Sequence, residues 1–179
     1  MAITQTHSRM VSDVDAGSTY ATTAALAAKG KVLQVVNIMD NAYDSGTTLV
    51  IDDDTIPQNT EGNEFMSLSI TPTSTSSKLK IEVVCVFALP GNNEQGVVAL
   101  FQDSTADALA AAFHEMGEVQ RIKTVSFNHY MTAGTTSATT FKVRAGGTQA
   151  GTCEFNGYGG GRKLGGVMAS SITITEIEA

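Results

Sequence analysis

From Leu79 to Leu89 the chain alternates its side chains with a period of two, and this run restricts the fold more than any other stretch. Leu79, Ile81, Val83, Cys85, Phe87 and Leu89 fall on one face of an extended strand. On the other face Lys78, Lys80 and Glu82 give way to Val84, Val86 and Ala88. The strand therefore starts with one wet face and ends apolar on both. A packed second sheet covers only one face, so a neighbouring subunit is the expected cover for the other. Val84 and Val86 are on this ground candidate contacts of an oligomer.

The same period recurs elsewhere. Met66, Leu68 and Ile70 alternate with Ser67 and Ser69, and Thr139, Phe141, Val143 and Ala145 alternate with Thr140, Lys142 and Arg144. Further strands are expected at Val32 to Met39, Thr47 to Ile51, Val97 to Phe101, Arg121 to Met131 and Ser171 to Ile177. Turn clusters separate them: DSG at 44–46, PTSTSS at 72–77, PGNN at 90–93, AGTTS at 133–137 and GYGGG at 157–161. The alanines between Ser104 and Met116 favour helix by propensity, but Leu109, Ala111 and Phe113 alternate, and strand suits the surrounding pattern better. Eight or more closely spaced strands make an all-β sandwich or barrel.

Residues 1–30 differ. They are polar and then alanine-rich, sustain no alternation, and end on Lys29 and Gly30. A short helix is expected near Thr22 to Lys29, closed by Gly30, in an otherwise irregular arm that takes its order from whatever it lies on. The domain proper is expected over residues 31–179.

Composition excludes several function classes. Charged residues make up 16% of the chain and the formal net charge is −7. Phosphate neutralisation needs clustered Lys and Arg, so nucleic acid is not an expected partner. No stretch approaches the roughly 20 apolar residues of a membrane span, and no basic region followed by an apolar core marks the N-terminus, so neither membrane insertion nor a secretory leader is expected. Cys85 and Cys153 form no C-x-x-C pair and read as buried thiols rather than a disulfide or metal site.

Catalytic and ligand chemistry has little to start from. Asp52, Asp53 and Asp54 stand together with Asp40 and Asp44 upstream, and a hard cation would relieve their repulsion. They lack the alternating ligands and turn glycine of a calcium loop, so a solvated acidic turn is the reading. His7, His114 and His129 share no metal-ligand spacing. His129 has the parity of Val125, Phe127 and Met131, which places it facing the core or at a subunit seam. No nucleophile elbow or phosphate-binding loop occurs, so no catalytic residue, metal or cofactor is expected. In the glycine run at 157–166, Tyr158 offers a face for a sugar ring and Arg162 in-plane donors for hydroxyls or carboxylates. Arg162 has a second, structural reading as the partner of Glu176 or of a neighbouring chain.

Two segments carry a family likeness. TIPQNTEGNEFMSLSITPTSTSSKLKIEV, from Thr55 to Val83, and GRKLGGVMASSITITEI, from Gly161 to Ile177, resemble jelly-roll domains of bacteriophage virion proteins. In that family an IPQxTEGxE turn leads into strands of this kind. The likeness covers Lys31 to Ala179. It implies a jelly-roll β-sandwich of ten-strand type, similar in topology to the C1q and tumour-necrosis-factor heads and assembling as a homotrimer. It implies a virion protein assembled in the host cytoplasm and no catalytic residues. Two roles are open: a tail- or head-fibre knob that touches host-surface polysaccharide through Tyr158 and Arg162, or a capsid decoration protein cementing the shell at three-fold positions. In both, residues 1–30 join the domain to other virion proteins, and Val84, Val86 and His129 are the candidate trimer contacts.

Overall fold

Ten strands follow one another in a computed structural model that describes residues 30–90, 95–115 and 122–179. They are β1 (Val32–Asp40), β2 (Asp44–Gly46), β3 (Asn63–Ile70), β4 (Lys78–Ala88), β5 (Gln95–Gln102), β6 (Ala110–Glu115), β7 (Lys123–Thr132), β8 (Thr139–Gly147), β9 (Cys153–Phe155) and β10 (Ser170–Ile177). The helix expected at Thr22 to Lys29 lies outside the described residues, as does the rest of the arm before Gly30. Among the described residues no helix is long and apolar enough to cross a membrane.

The strands form two antiparallel sheets. β1, β10, β4 and β7 lie side by side in the first, which β9 and β2 extend beyond the end of β10; β3, β8, β5 and β6 make the second. Without the short β2 and β9, the eight remaining strands run first, eighth, third, sixth across one sheet and second, seventh, fourth, fifth across the other. That interleaving is a jelly roll. The chain is an all-β jelly-roll sandwich.

The alternation explains the core. Leu79, Ile81, Val83, Cys85 and Phe87 of β4 meet Ile172 and Ile174 of β10 in the first sheet, and face Val98, Leu100, Phe141 and Val143 of the second. Both cysteines are buried in this core as thiols, and burial, then the neighbouring Cys153, holds the Cys85 thiol well above its ordinary range. A bulge between Glu64 and Met66 adds Phe65 to β3, and its ring stacks on Phe155 of the opposite sheet at 4.9 Å. At Gly96 a Cβ would stand 2.4 Å from the Phe87 ring, so only glycine lets that ring lie flat on β5.

Three expectations change. Thr47 to Ile51 is not a strand; instead the DSG cluster expected as a turn forms β2 against β9, itself too short to show a period. The 104–116 segment is strand from Ala110, as its alternation indicates, but its first residues are turn. The second apolar face of β4 is closed within the chain at Val86, 5% exposed, and at Ala88, fully buried, while Val84 stays half-buried.

The segment resembling the family motif pins residues 50–62 across the second sheet. The Glu61 carboxylate accepts the amides of Ile51 at 2.9 Å and Gln58 at 3.2 Å, and Arg144 of β8 donates to the carbonyls of Glu61 and Gly62, both at 2.8 Å. A chain end depends on a second carboxylate. Glu176 has the parity of Ile172 and Ile174, so it is closed off from solvent. Gln34 Nε2 donates to it at 2.6 Å, and the Thr73 amide and hydroxyl at 2.8 Å each. Burial pushes the carboxyl pKa up, but these donors overcome it and hold the pKa down to about 2.

Glu176→Ala is expected to cost about 2 kcal/mol at neutral pH, because it strands those donors. A depressed pKa gives stability that is full above the unfolded value of 4.5 and is lost as pH falls towards about 2. Urea titrations at pH 7 and pH 2.5 should show the gap between wild type and variant shrinking at the lower pH. A constant gap would contradict the assignment.

Candidate functional site

The glycine run leaves the first sheet where β9 ends. Asn156, at φ 52°, turns the chain out, and its side-chain amide donates to the carbonyls of Asp40 at 2.8 Å and Ala42 at 3.1 Å. Its Oδ1 accepts from Ser170 Oγ at 2.8 Å, so the turn is tied to the end of β1 and the start of β10. A bridge between Gly157 and Arg162, with Tyr158 N donating to Gly161 O at 3.1 Å, folds the residues between them into a tight loop.

Glu154 organises that loop from below. Its carboxylate accepts Tyr43 Oη at 2.8 Å and the amides of Gly159 at 2.9 Å and Gly160 at 2.6 Å. Gly159 and Gly160 have φ of 63° and 78°, which turns their amides inward onto one anion and suits no larger residue well. Burial pushes the Glu154 carboxyl up, yet hydrogen bonds from Gly160, Tyr43 and Gly159, with Lys163 nearby, bring it below its ordinary value. Burial and the same carboxylate raise Tyr43. Sequence reasoning did not single out Glu154 or Tyr43. The available signal was an acid between Cys153 and Phe155 just before a run of glycines, whose amides need an acceptor.

Tyr158 and Arg162 share this loop, as the sequence indicates. Lys163 Nζ lies 4.1 Å from the Tyr158 ring centroid and occupies one face of the ring. Arg162 is exposed and lies against Gly166, where a Cβ would stand 2.8 Å from Nη1. It does not pair with Glu176, which is engaged at the opposite end of β10 by Gln34 and Thr73. Beyond it Leu164 and Val167 project into solvent, 72% and 86% exposed. The loop thus presents a guanidinium, an ammonium, one aromatic edge and two apolar side chains on a rigid base.

The other singled-out residues are dispersed. Val84 is half-buried on the outer face of the first sheet, in a groove of about 200 Å³ between β4 and β7, whereas Val86 is buried in the chain. His129 pairs in register with Ile81 and so faces inward at the core margin, where burial lowers its pKa. His114 lies on β6 in the other sheet, and His7 lies outside the described residues. Asp53 bonds the amide of Thr55 at 2.8 Å as an exposed turn, and among the described residues no three His, Cys, Asp or Glu side chains converge on a metal position.

No family model matches the chain, and no curated protein matches it. Among solved structures it is similar to Eiger TNF from S. frugiperda, with a TM-score of 0.42 and 7% identity over 80% of this chain and 93% of that one. It is also similar to the EclA C-terminal domain, a sugar-binding protein, with a TM-score of 0.36 and 14% identity over 89% and 87%. The infectious bursal disease virus Gx strain structure gives a TM-score of 0.39 and 14% identity over 80% of this chain, which spans 40% of the viral one. These likenesses add nothing to the strand order described above.

Glu154→Ala is expected to cost about 2 kcal/mol and Tyr43→Phe about 1 kcal/mol, the first by orphaning three donors and the second by deleting one bond. Hydrogen exchange at Gly159 and Gly160 should speed up in Glu154→Ala while β4 stays protected. Unchanged exchange would show that the carboxylate does not hold the loop.

Proposed function

We propose that this chain is a non-enzymatic structural protein of a bacteriophage particle: a trimeric jelly-roll knob on a tail or head fibre, attached through residues 1–30 and touching host-surface glycan with the loop bearing Tyr158 and Arg162. The observation that carries the reading is what the chain does with its charges. Glu61, Arg144, Glu154 and Glu176 are engaged in holding loops and strand ends. The outer face of the first sheet is left with Asn37, Ser126, Asn128, Ser171, Thr173 and Thr175, interspersed with Val35, Met39 and Tyr130, each more than half exposed. Its Lys80 and Glu82 neutralise one another at 2.7 Å, and Lys78, at the start of β4, donates to the Thr132 hydroxyl at 2.7 Å. Protein interfaces are depleted in charge and enriched in Tyr and Met, so such a face suits association of identical copies. The resemblance of Thr55 to Val83 and Gly161 to Ile177 to phage virion domains supports the same reading. So does the loop, where Arg162 and Lys163 donors beside an aromatic ring suit a glycan with hydroxyl or carboxylate groups.

One observation favours the second reading, a capsid decoration protein. Lys163 already covers a face of Tyr158, and Glu154 already fills the amide nest, so the loop satisfies itself without a ligand. The number and position of copies on an intact particle, seen by cryo-electron microscopy, decide between them. A few copies at fibre ends support the knob, and host binding should then fall in Tyr158→Ala and Arg162→Ala. Many copies spread over the shell replace it with decoration. Deleting residues 1–30 should leave a folded trimer that no longer joins the particle.

Val84 and Val86 separate assembly from folding. Val84→Asp is expected to shift the trimer to monomer in analytical ultracentrifugation while the monomer stays folded. Val86→Asp buries an unpaired charge within the chain and should destabilise the fold itself by upwards of about 3 kcal/mol. A Val84→Asp chain that remains trimeric would remove this face from the interface.

A further inference from the structure

On the second sheet, away from both the glycine loop and the outer face of the first sheet, a strand pairing starts and then stops. Asn59 N donates to Ala106 O at 2.7 Å and Ala108 N to Pro57 O at 3.0 Å, around a bridge between Gln58 and Asp107. Pro57 has no amide to continue that ladder. Residues 51–56 part from β6, and a cleft of about 410 Å³ opens between Asp53 to Pro57 and Ala108 to Ala111. It shares Asp53, Thr55, Pro57 and Ala111 with a second cleft of about 190 Å³ that runs on to Phe113.

Three properties of this groove belong together. It is apolar and open: Ile51, Ile56 and Phe113 are 59%, 55% and 52% exposed around it. It is acidic on one rim, where Asp52, Asp53 and Asp54 line it, and neither cleft has a Lys or Arg in its wall. Among the described residues β6 has one strand neighbour, β5, and the small side chains of Ala110, Ala111 and Ala112 leave its backbone approachable. Isolated apolar side chains on a surface need no explanation, but an apolar groove beside an unpaired strand edge is a docking geometry.

We propose that this groove docks an extended segment of a partner protein in which basic and apolar side chains alternate. An added strand turns successive side chains to opposite sides. Its apolar set seats against Ala111, Phe113 and Ile56, and its basic set meets the three aspartates. Charge complementarity selects this occupant: a neutral strand leaves the aspartates unmatched and an acidic one is repelled. The proposal stands independently of the glycan-binding reading.

The test uses the full chain and three fluorescein-labelled, end-blocked octapeptides, alternating Lys with Val, Glu with Val, and Lys with Ser. Fluorescence anisotropy should show saturable binding of the Lys–Val peptide, weakened by salt, and no binding of the other two. Ala111→Arg fills the groove with the peptide's own charge and should weaken binding by about tenfold or more; Asp53→Asn with Asp54→Asn should weaken it severalfold. Thermal melts of both variants verify folding, and if Ala111→Arg does not fold, the asparagine pair and amide shift mapping onto β6 decide. No saturable binding, equal binding of the Glu–Val peptide, or binding indifferent to the folded groove variants would overturn the proposal. So would self-association of the chain abolished by Ala111→Arg without peptide binding, because the occupant would then be a second copy.

Discussion

The structure depends on a change of partner along one strand. β4 is hydrogen-bonded to β7 along nearly its whole length, but on its other side it pairs with β10 only up to Val84, and β9 takes over at Phe87. Between the two the Val86 backbone faces a gap. Ser170 Oγ fills it by accepting the Val86 amide at 2.8 Å, and the Asn156 amide donates to Val86 O at 2.9 Å. An unpaired buried amide costs as much as a lost hydrogen bond, so the junction of three strands holds because the Ser170 hydroxyl and the Asn156 main-chain amide complete it. The glycine loop departs at this junction, which gives the exposed Tyr158 and Arg162 a rigid base.

Carboxylates do in this chain what metals or disulfides do in other loop-rich domains. Glu61 gathers donors within its own loop, Glu154 ties the glycine loop to the distant Tyr43, and Glu176 joins Gln34 and Thr73 to the end of β10; those donors are largely backbone amides. At Glu154 and Glu176 the acid stays ionised, because the donors favour the charged form more than burial opposes it. The lowered pKa values of Glu154 and Glu176 follow from that balance. Acid should therefore loosen the glycine loop and the end of β10 before it dissolves the core, whose contacts carry no titrating group of this kind.

Strands with one wet face were legible in the sequence, because the period of two is written in residues such as Met66 to Ile70 and Thr139 to Ala145. β2 and β9 were not, since three residues show no period and each forms only because the other lies beside it. The double apolar face of β4 was legible as a feature, but its cover was not. Alternation records that a side chain is buried; it does not record whether the same chain or another buries it. Val86 and Ala88 are closed by their own chain, while Val84, two residues earlier, stays half-open. Tyr158 and Arg162 were legible as a pair from their place in a glycine run. Glu154, which fixes them, was hidden because a single acid in a short strand has no pattern around it.

The two outer faces of the sandwich have opposite characters, and this bears on how they can be used together. The outer face of the first sheet carries few charges, with Lys80 and Glu82 paired, and is dotted with Tyr130, Met39 and Val35; the second is crossed by the 50–62 segment and opens into a groove rimmed by Asp52 to Asp54. Association of identical copies requires a face that does not repel itself, and a net charge of −7 leaves few such places on this chain. The first sheet supplies one. A surface built of apolar side chains and aspartates opposes its own copy and favours a cationic stranger. Copies joined through the first sheet would keep the second turned to solvent, so self-assembly and attachment of a different protein need not compete for the same face.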